Sequence, residues 1–380
     1  MAYKKLAICF AGDFPEGDKK NARLKSIATE LSQNNWESTF ISAFPTRFSE
    51  GNAVQQGKIW NKYKVVHAGN WSQYPKYRML RILQILYCQL RFAGFLFGNR
   101  KKFDAFYFYT PQFIGVLPGL LLLRIFSRRI VVDFTDLHSS FLLRKVHLLE
   151  EWLVARWAPK LLVISVFLYK HFVNLRVDVK KFGILVHLER FNVVVHHIPF
   201  TIGYIGSYGA KDGIHEILEA FAVAFKRDAR LRLRLIGKQN DNKVLSQIKK
   251  LNITSSVEVL GASTYEAIPV LLKECDTFIM NRNSSQFSET GYPIKLGEYF
   301  ACNRPVLMSD GPGYSEDFSH LQEAIKYKVD DAQALADAIV FRYENEMLAW
   351  EVSQRGYDYA VAHFDSKKQV KKLVEILDEL

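Results

Sequence analysis

A chain of 380 residues, 49% apolar and 24% charged, has material for two domains with separate cores, and this composition describes a soluble globular protein and excludes a disordered one. Its four cysteines, Cys9, Cys88, Cys275 and Cys302, lie far apart with no C-x-x-C pair, which argues against a disulfide framework or zinc site and fits a reducing compartment. The net charge of +12 is lopsided: 13 Lys and Arg stand against the single acid Asp104 between Gly51 and Val132, and the remaining 38 basic and 38 acidic residues cancel.

The opening MAYKKLAICFAGDF sets two lysines before an apolar run too short for a signal peptide, with Asp13 following and no small-residue cleavage pattern. It reads as a buried first strand ending in a glycine turn. A helix with Leu24, Ile27, Ala28 and Leu31 on one face follows, with Arg23 read as a solvated residue at its start. ESTFISAF is the next strand. FDAFYFYT, LPGLLLLRIF, RRIVVDFTD, LLEEWLVARWA and KLLVISVFL then alternate strand, helix, strand, helix, strand. No apolar stretch reaches membrane-spanning length, since FIGVLPGLLLL stops at Arg124, so the expectation is that this is not an integral membrane protein. A second series starts at FTIGYIGSYG and repeats the rhythm through IHEILEAFAVAFK, LRLRLIG, VLSQIKKLN, VEVLG, YEAIPVLLKE, CDTFIMN, KLGEYFACN and PVLMSD. The two series predict an α/β fold of two doubly wound Rossmann-like domains facing a central cleft. The expected division is 1–197, 198–360 and a C-terminal helix at 361–380 that packs back on the first domain.

Several residues in this frame have chemical potential. In GYIGSYGAKDG, Gly206 and Gly209 permit close backbone approach, Ser207 lies between them, and Lys211 precedes a helix N-terminus; a phosphate site and a plain strand-to-helix turn both fit. Arg282 follows a buried strand, where a guanidinium would fork onto a diphosphate or simply face solvent. In SETGYPIKLGEYFACNRPVL, Pro293 opens a helix that carries Lys295 and Glu298 on one face. A carboxylate there suits two vicinal hydroxyls and the lysine suits phosphate, while an intrahelical Lys–Glu pair is the plainer alternative. VVDFTDLHSS ends a strand with Asp133, Asp136 and His138. The adjacent His196 and His197 on an extended segment point to opposite sides, so they do not read as a metal pair.

YPIKLGEYFACNRPVL resembles the nucleotide-sugar motif of retaining GT-B glycosyltransferases, specifically glycosyltransferase family 4 (glycosyl transferases group 1). GYIGSYGAKDGIHEILEAFA, LRLRLIGK and VEVLGASTYEAIPVLLKECDTFIM are similar to the family's C-terminal domain in the same order. The resemblance implies that Glu298 binds the donor ribose, that Arg282 and Lys295 act catalytically on its diphosphate, and that Gly12, Gly206, Ser207 and Lys211 line the donor pocket. It also implies that Asp136 and His138 lie near the reaction centre, and that no cofactor or essential metal is needed. The family's usual glutamate eight positions before Glu298 is replaced by Thr290, with Glu289 beside it. Ser207 stands where an arginine is usual, and Asp212 where a lysine is usual, with Lys211 one place earlier.

Lys76 to Lys102 contains seven basic residues and no acid. Met79, Ile82, Leu83, Leu86, Leu90, Ala93 and Phe97 form a stripe at helical spacing. Such a helix fits contact with an anionic membrane surface, or a core-facing helix with solvated arginines. No nucleic-acid-binding motif accompanies it. The expectation is a cytoplasmic enzyme, peripheral at the inner face of the membrane, that takes a nucleotide-sugar donor and a glycan or lipid-linked acceptor. A non-catalytic nucleotide-sugar-binding subunit is the alternative.

Overall fold

The computed structural model describes residues 3–12, 14, 19–43, 59–60, 63–68, 77–136, 144–175, 177–191, 200–237, 241–264, 266–284, 292–311 and 313–380. The chain divides into two units, Met1–Gly183 with Ser366–Leu380, and Ile184–Asp365. The 197/198 division expected from the sequence falls on residues outside the described set. The change of unit comes earlier because Ile184 and Val186 already pack on the second unit. There they sit so close to Gly297 that a Cβ at that glycine would meet their side chains at 2.5 and 2.6 Å.

In the first unit the elements are β1 (Lys4–Phe10), α1 (Lys19–Gln33), β2 (Trp36–Ser42), β3 (Ile59–Trp60), β4 (Tyr63–His67), α2 (Arg78–Asn99), β5 (Ala105–Tyr109), α3 (Leu117–Phe126), β6 (Ile130–Phe134), α4 (Arg144–Trp157), β7 (Lys160–Val163), α5 (Val166–Val173) and β8 (Val179–Lys181). The strand order is β3-β4-β2-β1-β5-β6-β7-β8. Every pairing is parallel except β3 with β4. Leu6 to Phe10 are all fully buried, as a parallel strand covered on both faces requires. The chain builds outward from β1 on one side and then crosses to β5 on the other, which makes the β1/β5 boundary a topological switch point. KLLVISVFL is a strand only as far as Val163. Ser165 then caps α5, its hydroxyl accepting the Leu168 N–H at 3.2 Å, and an N-cap of this kind turns the remaining apolar residues into helix.

Arg23 corrects the solvated reading. It is buried in α1, its Nε 2.8 Å and Nη2 3.1 Å from the carboxylate of Asp133 on β6. It also donates to the carbonyls of Gly183 at 2.6 Å and Phe182 at 3.0 Å. Burial alone would lower the guanidinium pKa, but the Asp133 charge outweighs it and holds the pKa above the ordinary value. The Tyr107 hydroxyl also donates to Asp133.

The second unit comprises β9 (Thr201–Gly206), α6 (Ile214–Arg227), β10 (Arg232–Gly237), α7 (Asn242–Lys250), β11 (Val257–Leu260), α8 (Ile268–Lys273), β12 (Thr277–Met280), α9 (Ile294–Ala301), β13 (Val306–Asp310), β14 (Ile325–Lys328), α10 (Ala332–Glu344) and α11 (Glu346–His363). Its sheet is wholly parallel in the order β11-β10-β9-β12-β13-β14. The switch point lies between β9 and β12. The last helix, α12 (Ser366–Asp378), returns to the first unit. Lys4 Nζ meets Asp378 Oδ1 at 2.8 Å, and the Ser366 hydroxyl donates to Glu30 of α1 at 3.5 Å.

The Arg23–Asp133 pair yields a stability prediction. Arg23→Met leaves a buried carboxylate without its counter-charge and should cost about 3–5 kcal/mol in denaturant unfolding. Arg23→Met with Asp133→Leu should recover more than half of that loss. A double variant as unstable as the sum of its singles would refute the pairing.

Candidate functional site

Among the described residues, charged side chains gather at the carboxyl edge of the second unit's sheet. β9 ends at Gly206, and the chain loops through Ser207 and Lys211 to Gly213 before α6. Gly213 has φ +55°, and a Cβ there would lie 2.5 Å from Asn281 Nδ2, so both backbone conformation and space require glycine. The Asn281 amide donates to the Gly213 carbonyl at 3.3 Å, and the Asn283 N–H donates to the Lys211 carbonyl at 3.2 Å. The Tyr327 hydroxyl donates to Asn281 Oδ1 at 2.7 Å. These bonds fasten the loop after β9 to the loop after β12, on the two sides of the switch point where open α/β sheets bind ligands.

α9 supplies the third segment. The Tyr299 ring stacks on Phe278 of β12, with centroids 4.4 Å apart and planes 5° apart, and its hydroxyl accepts the Ile205 N–H at 2.9 Å. The helix is thereby fixed to both central strands. One turn before Tyr299, Lys295 Nζ lies 3.1 Å from Asp212 Oδ1 and 4.3 Å from the Tyr204 ring centroid. Burial would raise the Asp212 carboxyl pKa. The charges of Lys295, then Arg282, then Lys211 overcome that effect and hold it below the ordinary carboxylate range. Three cations from three segments therefore act on one buried carboxylate.

Arg282 is buried immediately after Asn281. Its backbone N–H donates to the Ser309 hydroxyl at 2.9 Å, and that hydroxyl donates to the Arg282 carbonyl at 3.0 Å. Its guanidinium lies 5.5 Å from the Tyr314 ring centroid. Glu298 is half-buried on α9, three residues beyond Lys295, and Ser207 is exposed. An array of this kind, with a fixed helix end, three cations and a nearby carboxylate, is chemically suited to a polyanion that carries hydroxyl groups.

The structure pairs Lys295 with Asp212 and sets Lys211 and Arg282 on the two loops that flank this pair, with Gly206 and Ser207 in the loop of Lys211 and Glu298 on the helix of Lys295. Gly12 and Asp136 belong to the first unit. Gly12 follows β1 at φ +98°, its carbonyl accepting from the Ser42 hydroxyl at 2.8 Å. Asp136 is half-buried just past β6. His138, Glu289, Thr290, His196 and His197 lie outside the described residues. Asp212, Tyr204 and Asn281 were not singled out from sequence as site residues. An acid where the family pattern has lysine was the available signal for Asp212, whereas the cross-strand contacts of Tyr204 and Asn281 have no local signature.

Two doubly wound parallel units of this kind are the GT-B fold. Residues 189–359, which lie within the second unit, match the family model for glycosyl transferases group 1. The chain is 25% identical over 146 residues to the N,N'-diacetylbacillosaminyl-diphospho-undecaprenol alpha-1,3-N-acetylgalactosaminyltransferase of Campylobacter jejuni, a match that covers 38% of this chain and 36% of the relative. The chain therefore spans about a third of that curated relative's length. Among solved structures, sucrose-phosphate synthase from Thermosynechococcus elongatus superposes with a TM-score of 0.76 at 14% identity, covering 99% of this chain and 98% of that one. Anabaena Alr3699/HepE in complex with UDP gives 0.71 at 15% identity, covering 99% and 100%.

The depressed Asp212 pKa fixes the sign of a pH effect. The carboxylate contributes stability that is fully present above its unfolded pKa and is lost as pH falls through the lower folded value. Asp212→Asn should therefore be less stable than wild type at neutral pH by about 3 kcal/mol, with the gap closing as the solution is acidified below the ordinary carboxylate range. Urea midpoints measured across that range check this; a gap that does not change with pH would contradict it.

Proposed function

We propose that the protein is a glycosyltransferase that moves a sugar from a nucleotide diphosphate donor to an acceptor hydroxyl, with retention of configuration. The observation that carries this reading is the buried Lys295–Asp212 ion pair beside the β9/β12 switch point, with Lys211 and Arg282 on the loops to either side. In the proposed mechanism Arg282 and Lys295 hold the donor diphosphate and stabilise the charge that develops as the glycosidic bond breaks. Lys295 leaves its Asp212 partner to meet the phosphate oxygens. Glu298 accepts hydrogen bonds from the ribose hydroxyls, and Gly206, Ser207 and Lys211 line the same pocket. By the family resemblance Gly12 belongs with the donor pocket, Asp136 and His138 contact donor or acceptor at the reaction centre, and no cofactor or essential metal takes part. UDP bound in the Anabaena neighbour supports a nucleotide donor. The undecaprenol-linked substrate in the Campylobacter relative's name supports a lipid-linked or glycan acceptor.

Thermal stabilisation by UDP, GDP and ADP tests the donor site, because a ligand that binds only the folded state raises the midpoint. One nucleotide should shift wild type, and the shift should disappear in Glu298→Ala and Arg282→Ala. It should be larger in Asp212→Asn, where the internal anion no longer competes. No shift with any nucleotide at millimolar concentration would refute the donor reading. A shift without sugar transfer or donor hydrolysis would favour the non-catalytic subunit.

A cytoplasmic, peripheral membrane position belongs to the same proposal, and α2 supplies its support. Among the described residues, Met79–Lys102 is long and apolar enough to cross a membrane by length and composition, which corrects the expectation that no segment reaches that length. A helix tolerates isolated Arg81 and Arg91 within such a window, whereas an uninterrupted run does not. The face predicted from periodicity is not the buried one. Gln84, Cys88, Phe92 and Leu96 are buried, whereas Met79 is 78% and Leu90 75% exposed, with Leu83 and Leu86 also exposed. A Cβ on Gly119 of α3 would lie 2.4 Å from the Phe92 ring, so α2 is tightly packed on α3. Crossing a bilayer would strip that packing away, and lying on its surface would not. Flotation with phosphatidylglycerol vesicles should recover wild type, and Leu83→Glu with Leu90→Glu should stay in the soluble fraction. Equal flotation of both proteins would remove α2 from the contact.

A further inference from the structure

The covered and exposed faces of α2 leave a groove of about 910 Å³ between this helix and the β2/β4 side of the first sheet. Its lining combines two chemistries. Leu90, Phe95 and Phe103 give it apolar wall, and Lys64 from β4, Arg91 from α2 and Lys102 from the turn after α2 bring three cations from three segments. Among the described residues no acid lines it. The nearest acid along the chain, Asp104, accepts the Lys5 backbone N–H at 2.7 Å. It is also the only acid between Gly51 and Val132. A wall of aromatic and aliphatic carbon offers nothing to a hydrated inorganic anion, and three cations offer nothing to a neutral acyl chain. The volume lies in the range of sites that enclose a small molecule.

We infer that this groove binds one phospholipid of net negative charge, with its headgroup phosphate at Lys64, Arg91 and Lys102 and the start of an acyl chain along Leu90, Phe95 and Phe103. The location suits uptake from a bilayer. Leu90 belongs both to the groove and to the exposed stripe of α2, so a lipid held here leaves its layer at the edge of the docked surface. This discrete site is separate from adsorption of the helix and does not rest on the donor-site reading.

Gly94 provides the means to test it. It lines the groove, and a Cβ there would meet no atom within 4 Å. Gly94→Phe therefore fills the groove without altering any charge, and replacing an interior helical glycine favours the helix. The probe is dihexanoyl phosphatidylglycerol below its micelle concentration, with dihexanoyl phosphatidylcholine and glycerol phosphate as comparisons. All are read by thermal shift and calorimetry on the full chain. Phosphatidylglycerol should bind saturably, and the other two weakly or not at all. Gly94→Phe should abolish binding while melting no lower than wild type. Lys64→Gln with Arg91→Gln and Lys102→Gln should weaken it by roughly tenfold or more. Equal binding of phosphatidylcholine would make the groove merely apolar, and equal binding of glycerol phosphate would make it a phosphate site. Undiminished binding by Gly94→Phe would place the lipid elsewhere. Each of these three results overturns the inference. A nucleotide shift measured on the same samples keeps a failure here distinct from a failure at the donor site.

Discussion

A parallel strand buried on both faces has no room for chemistry along its length. Every side chain from Leu6 to Phe10 is sealed from water, and Phe278, Ile279 and Met280 are equally enclosed. Polar function is therefore displaced to the first residues beyond each carboxyl end. The reversal of strand order then decides which two ends stand apart enough to admit a ligand. In the second unit those ends belong to β9 and β12. The loops after them carry Lys211, Asp212 and Arg282, and α9 brings Lys295 to the same carboxylate.

Asp212 gives that constellation its resting state. Cations gathered without a counter-charge would repel one another and pay a desolvation cost, and the carboxylate relieves both. The same carboxylate competes with any incoming polyanion, so folding and ligand affinity draw on one pair of charges in opposite directions. Glu298 is placed by a different route: Tyr299, next to it in sequence, is held by Phe278 and by the Ile205 N–H, and this fixes the helix on which the carboxylate rides.

Much of this was legible in the residues. Alternating strand and helix patterns predicted both sheets, and the glycine turns with Arg282, Lys295 and Glu298 marked out a candidate site, because each belongs to a local pattern with a period or a turn signature. What could not be read depended on partners far apart in the chain. Arg23 looks like any helical arginine until Asp133, 110 residues later, lies beneath it. The apolar stripe of α2 has the spacing of a core-facing helix, yet its buried side is set by Gly119, whose missing side chain admits Phe92. KLLVISVFL has the composition of one strand, and a single hydroxyl at Ser165 divides it.

The return of α12 to the first unit bears on how the protein is made. Residues 184–365 form one unbroken unit, whereas the first unit consists of Met1–Gly183 completed by Ser366–Leu380. On a ribosome the second unit has all its residues before the first has its last helix. Until Ser366 and its neighbours emerge, the flank of α1 around Glu30 lacks its cover. The half of the protein synthesised first thus cannot be completed until the whole of the other half has been made.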